Sequence, residues 1–125
     1  MKQEKFSLRK RVKSFGYAFD GIAALLRDEH NSRIHAFAMV AVVIMGFAFD
    51  ITTSEWCVVA LCCGGVLMAE AMNSAVEAIA DLVSPEYHPL VKKAKDIGAA
   101  GVLFMAIAAA VSGIVIFLPR LFSLF

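Results

Sequence analysis

The sequence predicts an all-α integral-membrane fold: an N-terminal amphipathic helix lying on the membrane surface, followed by three transmembrane helices packed as a bundle. Three observations carry that expectation. Of 125 residues, 60% are hydrophobic, well above the roughly 45–50% usual for soluble domains. The mean hydropathy is +0.74. Three long apolar runs are present, and the twelve basic residues fall almost entirely on one side of them.

The surface helix is expected over residues 5–28. Leu8, Val12, Phe15, Phe19, Ile22 and Leu26 recur at intervals of four and three, so at about 100° per residue they form one apolar stripe, with Arg9, Lys10, Arg11 and Lys13 mostly off it. Such a helix suits an anionic headgroup layer. Gly16 and Gly21 weaken its interior. The acidic residues Asp20, Asp28 and Glu29 precede any long apolar run, so this end does not have the layout of a cleaved signal peptide and is expected to stay in the mature chain.

The first span is expected over residues 30–50, around the uncharged run Ile34–Phe49. That run covers only about 24 Å of a hydrocarbon core of roughly 30 Å, so its flanking residues must reach toward the interface. The second span, 53–83, begins at "TTSE", where Thr52 and Glu55 have capping-box spacing and Trp56 suits an interfacial belt. The third, 89–119, contains the uncharged run Ile97–Leu118, about 33 Å long and sufficient to cross unaided. Pro89 suits its first turn. Alanines and glycines at 71, 75, 78, 94, 98, 101, 109 and 113 allow close helix approach.

Eight basic residues precede the first span, three (Lys92, Lys93, Lys95) lie between the second and third, one (Arg120) lies at the far end, and none lies between the first and second. By the positive-inside rule the N-terminus and the second connection face the cytoplasm. A multi-pass membrane location with that orientation is expected. Cys57, Cys62 and Cys63 have neither metal-ligand nor redox spacing and read as packing residues. His30 and His35 read as interfacial residues rather than ligands.

Chemistry concentrates in "EAMNSAVEAIADL". On a helix Glu70, Glu77 and Asp81 fall within about 40° of one another, flanked by Asn73 and Ser74, along roughly 16 Å of one wall. A carboxylate near mid-membrane costs at least about 2.5 kcal/mol. Three on one face repel unless protons or cations neutralise them. The bland reading is an interhelical polar network whose lower end protrudes into water. The functional reading is a wall open to the cytoplasm, where a hard divalent cation bridges carboxylates and phosphate oxygens. Basic and acidic groups meet at the same depth: Asp28, Glu29 and Arg33 before the first span, Lys95 and Asp96 at the start of the third. Metal, charge neutralisation and a base are what phosphoryl transfer requires. The sequence has no Walker G-x-x-x-x-G-K-[ST], kinase Gly-rich loop, H-R-D or D-F-G.

The run "EAMNSAVEAIADLVSPEYHPLVKKAKDIGAAGVL" resembles the signature of the small prokaryotic diacylglycerol kinase family, close to E-x-x-N-[ST]-A-[IV]-E…D…EYH…AKD. The pair Glu29 and Arg33 and the "GYAFDGI" of the surface helix fall at matching distances, so the resemblance covers nearly the whole chain without a gap. "FLPRL", "EW" and "HPL" are more similar to the branch whose members phosphorylate undecaprenol. The resemblance implies a homotrimeric membrane lipid kinase with active sites shared between subunits, using ATP with Mg²⁺ and a membrane lipid alcohol, undecaprenol or diacylglycerol. No nucleic-acid partner is expected. Carried over by position, Glu70 is the general base, and Glu29 and Glu77 are the Mg²⁺ ligands. Lys10, Tyr17, Glu86, Tyr87, His88, Lys95 and Asp96 fall on nucleotide-contacting positions, with Asn73, Asp81 and Arg33 in support. The family usually has Arg where this chain has Lys10, which replaces a planar fork by a point charge. The competing function is a small proton- or cation-coupled transporter using the same carboxylates as a relay.

Overall fold

The computed structural model describes residues 5–125, and they form four helices: α1 (Leu8–Asp28), α2 (His30–Ala48), α3 (Thr53–Val83) and α4 (Pro89–Phe122). The last three are long and apolar enough to cross a membrane. At 1.5 Å per residue, the 19 residues of α2 cover about 28 Å, more than its uncharged core alone, because the helix starts at His30. Pro119 does not end α4, which continues to Phe122. Close to this proline, which lacks an N–H, the Arg120 guanidinium donates to the Ile116 carbonyl at 2.6 Å.

α1 runs unbroken through Gly16 and Gly21, both facing open space. Ser7 caps it by accepting the Lys10 N–H. No residue of α1 is buried, and Leu8, Val12, Phe15, Phe19 and Ile22 all remain exposed. An uncovered apolar stripe of this kind fits a headgroup boundary.

α3 packs mainly against α4, with α2 alongside α3, and α1 touches both α2 and α3. Tight packing is concentrated at the α2–α3 turn. Ile51, Val59, Ile116 and Phe117 are buried there, with Val42, Met45, Phe49, Trp56 and Cys63 against them. The turn itself is closed by backbone geometry: the Ile51 N–H donates to Gly46 O and the Asp50 N–H to Phe47 O. Asp50 takes the left-handed conformation at φ 51, giving the paired bonds of a Schellman motif. Aspartate is among the few side chains that tolerate this region. Thr52 then starts α3 with a full capping box, accepting the Glu55 N–H while the Glu55 carboxylate accepts the Thr52 N–H at 2.9 Å. The same carboxylate takes a two-pronged contact from Arg120, at 2.8 and 2.6 Å. It thereby ties the first turn of α3 to the last turn of α4.

The opposite, loop end carries the polar groups. His88 caps α4, its ring Nδ1 accepting the Leu90 N–H at 3.1 Å, and Pro89 occupies the first helical turn. Ser84 closes the end of α3, donating its N–H to Ala80 O and its hydroxyl to Glu86 O.

Candidate active site

One face of α3 descends from apolar surroundings into water, and the exposure of its carboxylates follows that descent. Glu70 is buried, at 4% exposure. Glu77, about two turns nearer the loop, is half-buried. Asp81, one turn further, is exposed and paired with Lys95 of α4. The helical period alone places the three on one wall. The neighbouring helices grade their access to solvent.

The buried end has further polar atoms. Ser32 of α2 is fully enclosed. Nδ1 of His35 stands 2.7 Å from Oε1 of Glu70. That separation is an ion-pair distance without the alignment of a hydrogen bond, so Ser32 Oγ, His35 Nδ1, Glu70 Oε1 and Asn73 Oδ1 all lie buried without an aligned partner. Four such atoms on two helices are a costly arrangement in a structural core. His35 adds a contact with Glu70 to the interfacial position that the sequence suggests. A cross-helix contact has no periodicity to reveal it, and the only signal in the sequence was an ionisable residue one turn past Ser32 inside an apolar run.

Asn73 is held from behind by α4. A Cβ added to Gly98 would stand 2.5 Å from Asn73 Oδ1 and 3.8 Å from its Cα, so only glycine lets α4 approach this closely. Gly98→Ala is expected to displace the Asn73 amide, costing about 1–3 kcal/mol by overpacking and lowering kcat. Gly101→Ala, where an added Cβ meets nothing, is the matched control. Thermal unfolding and initial rates of the two variants check this outcome.

The remaining candidate residues lie at the loop end and on α1. Glu29 is half-buried in the single extended residue between α1 and α2, serving as C-cap of one and N-cap of the other. It lines a cleft between α1 and α3 with Asp28, Ala71, Ser74 and Ala78. The Arg27 guanidinium, hydrogen-bonded to Asp28, holds that carboxyl below its usual range. Arg33 is committed to His30, Nη2 to Nδ1 at 2.7 Å. Asp96 pairs with Lys92 one turn before it. Glu86 and Tyr87 are exposed in the loop beside His88, and Lys10 and Tyr17 are exposed on α1. The structure thus brings Glu70 and His35 together at one depth and Asp81 and Lys95 at another. Tyr17, Glu86 and Tyr87 are exposed and make no side-chain hydrogen bond or ion pair to either group within one subunit.

The donor set also bears on a metal. Among the described residues no three or more His, Cys, Asp or Glu side chains converge into a cage. Glu29 and Glu77 are carboxylates on separate elements. That pattern fits Mg²⁺, which takes one or two carboxylates and completes its shell with phosphate oxygens and water.

Comparison with known proteins follows the same residues. The pattern of the prokaryotic diacylglycerol kinase family matches residues 16–117. The chain is 38% identical over 120 residues to the undecaprenol kinase of Bacillus subtilis, covering 96% of this chain and 98% of that protein. It is 39% identical over 112 residues to a diacylglycerol kinase of Synechocystis sp., covering 89% of this chain and 64% of that protein. With the diacylglycerol kinase of Escherichia coli it shares 31% over 101 residues, 81% of this chain and 83% of the other.

Proposed function

The chain belongs to the prokaryotic diacylglycerol kinase family and is a membrane lipid kinase, and on that premise we propose that it moves the γ-phosphoryl group of ATP to the hydroxyl of undecaprenol. The observation that carries the reading is the graded carboxylate wall: one carboxylate buried at 4% exposure and another half-buried about two turns toward water. A lipid hydroxyl and a water-soluble nucleotide need to meet across such a boundary.

Glu70 is the base that takes the acceptor's proton, being the carboxylate deepest in the apolar region. Glu29 and Glu77 hold Mg²⁺, which when bound neutralises charge on the transferring phosphate. Lys95 faces the phosphates as a point charge and Asp81 orients it, as their ion pair supports. Lys10, Tyr17, Glu86, Tyr87, His88 and Asp96 line the nucleotide's approach, and His88 already has a fixed ring through its cap on α4. Asn73 supports Glu70 from one turn away, while Arg33 supports the Glu29 segment.

We assign the loop end to the cytoplasm of the bacterial inner membrane, from the placement of lysine and arginine, and a homotrimer with shared sites to the assembly. Uncovered apolar residues on every helix, including Phe37, Phe47, Leu61, Met68, Phe104 and Val115, are consistent with burial against lipid or a second subunit. Shared sites would bring Tyr17, Glu86 and Tyr87, exposed within one chain, to the wall of a neighbouring subunit.

Undecaprenol is favoured as acceptor by the near end-to-end similarity to an undecaprenol kinase. Diacylglycerol is the second reading, favoured by the relatives named for it. The test is a side-by-side assay of purified protein with labelled Mg-ATP and either lipid. Undecaprenol is expected to give the higher kcat/KM, and preference for diacylglycerol reverses the assignment.

A further inference from the structure

Burial gives Glu70 a difficulty as well as a role. A carboxylate with 4% exposure that has accepted a proton has almost no contact with water to which it can return it, and the next turnover waits until it does. One ionisable group touches it. His35 Nδ1 lies 2.7 Å from Glu70 Oε1, and the His35 side chain is 28% exposed where that of Glu70 is 5% exposed. The histidine, five residues into α2 from its loop-end start at His30, therefore reaches from the buried oxygen toward the part-exposed edge of the helices at that end.

Resting on the assignment of Glu70 as base, we propose that His35 orients Glu70 and relays the acceptor's proton from it to water. The acceptor's O–H bond breaks as its oxygen forms the new bond to the γ-phosphorus, and the bond from that phosphorus to the bridging oxygen breaks, its electron pair leaving on ADP. The hydroxyl proton passes to Glu70, then to His35. The imidazolium gives one proton to water and returns to neutral, leaving the carboxylate free again. Imidazole suits this step because it exchanges protons near neutral pH. His35 acts through Glu70 and is a positioning and relay residue.

Among the described residues no other ionisable group is placed to take this part. On α2, Glu29, His30 and Arg33 precede His35, and His30 is engaged by Arg33. The rest of α2 has none. On α3, Glu77 and Asp81 lie about two and three turns toward the loop, Asp81 held by Lys95. Toward the other end α3 offers only Cys62, Cys63 and Cys57 before Glu55. α4 has no ionisable residue between Asp96 and Arg120, and Asp96 is paired with Lys92. α1 approaches with Arg27 and Asp28, which pair with one another. On the side away from the loop His35 meets an apolar cleft lined by Met39, Val42, Val66 and Ala106.

His35→Gln and His35→Asn, which supply a hydrogen-bonding amide but cannot relay a proton, test the proposal. Each is expected to lower kcat by roughly 10²-fold, the lower range for general acid–base assistance. The acceptor KM and the thermal midpoint should stay near those of the unmodified protein. Added imidazole should restore kcat in proportion to its neutral form, so that rescue grows with pH up to about 7. Full activity of either variant overturns the relay, as does a loss that imidazole does not touch or that only follows a fall in thermal midpoint. Glu70→Gln separates the two readings. If it stays active, the base assignment fails. If it is inactive and His35→Gln is fully active, the relay alone fails.

Discussion

Glu70→Gln is expected to lower kcat for lipid phosphorylation by about 10²–10⁴-fold, the range for removing a positioned general base, with the affinity for Mg-nucleotide unchanged. Gln preserves the shape of the side chain and its capacity to meet His35, so the pocket is kept while the proton acceptor is lost. The position of Glu70 sharpens the expectation. At 4% exposure, and with His35 against it, little bulk water is at hand to replace it as base. Steady-state rates at saturating acceptor and nucleotide measure the effect, and the thermal midpoint reports on the fold. Replacing a carboxylate buried in an apolar region by a neutral amide of the same shape should hold or raise that midpoint.

Glu77→Gln should fail differently. Loss of one charged ligand contact is worth about 1.5–3 kcal/mol, so Mg-ATP affinity is expected to fall by roughly ten- to a hundredfold. Raising Mg²⁺ should recover part of the rate in this variant and none of it in Glu70→Gln. Glu77 is half-buried on the same face of α3, toward the loop, where a nucleotide arriving from water reaches it without crossing the apolar region. Isothermal titration with Mg²⁺ and a non-hydrolysable ATP analogue checks the affinity.

Both expectations begin with a pattern that the residue order already displays. Glu70, Glu77 and Asp81 share a face because seven and four residues are near-whole numbers of helical turns. Thr52 and Glu55 cap α3 because the capping box is a local motif. Local and periodic information of this kind is readable without coordinates. What escaped it is contact between segments far apart in sequence: His35 against Glu70, Asp81 against Lys95 and Glu55 against Arg120. Each pairing depends on how the helices are rotated and slid relative to one another, and apolar periodicity constrains that weakly when nearly every face is apolar. The left-handed Asp50 was missed for a related reason. A glycine would have signalled a helix C-terminus there, whereas aspartate is common in many other settings. Gly16 and Gly21 leave α1 continuous, since exposed glycines weaken a helix without interrupting it.

The catalytic roles carried over by resemblance had partial support in the residues alone. Depth distinguishes Glu70 from Glu77, and the structure gives that depth a value in exposure.

The central claim is that one helix face divides the work, its buried carboxylate handling the lipid proton and its half-buried carboxylate the nucleotide's metal. Titrating Mg²⁺ and the ATP analogue into Glu70→Gln and Glu77→Gln side by side tests that division most directly. Glu70→Gln is expected to keep the affinity of the unmodified protein, and Glu77→Gln to lose roughly tenfold or more. Equal affinities in the two variants, or the larger loss in Glu70→Gln, would contradict it.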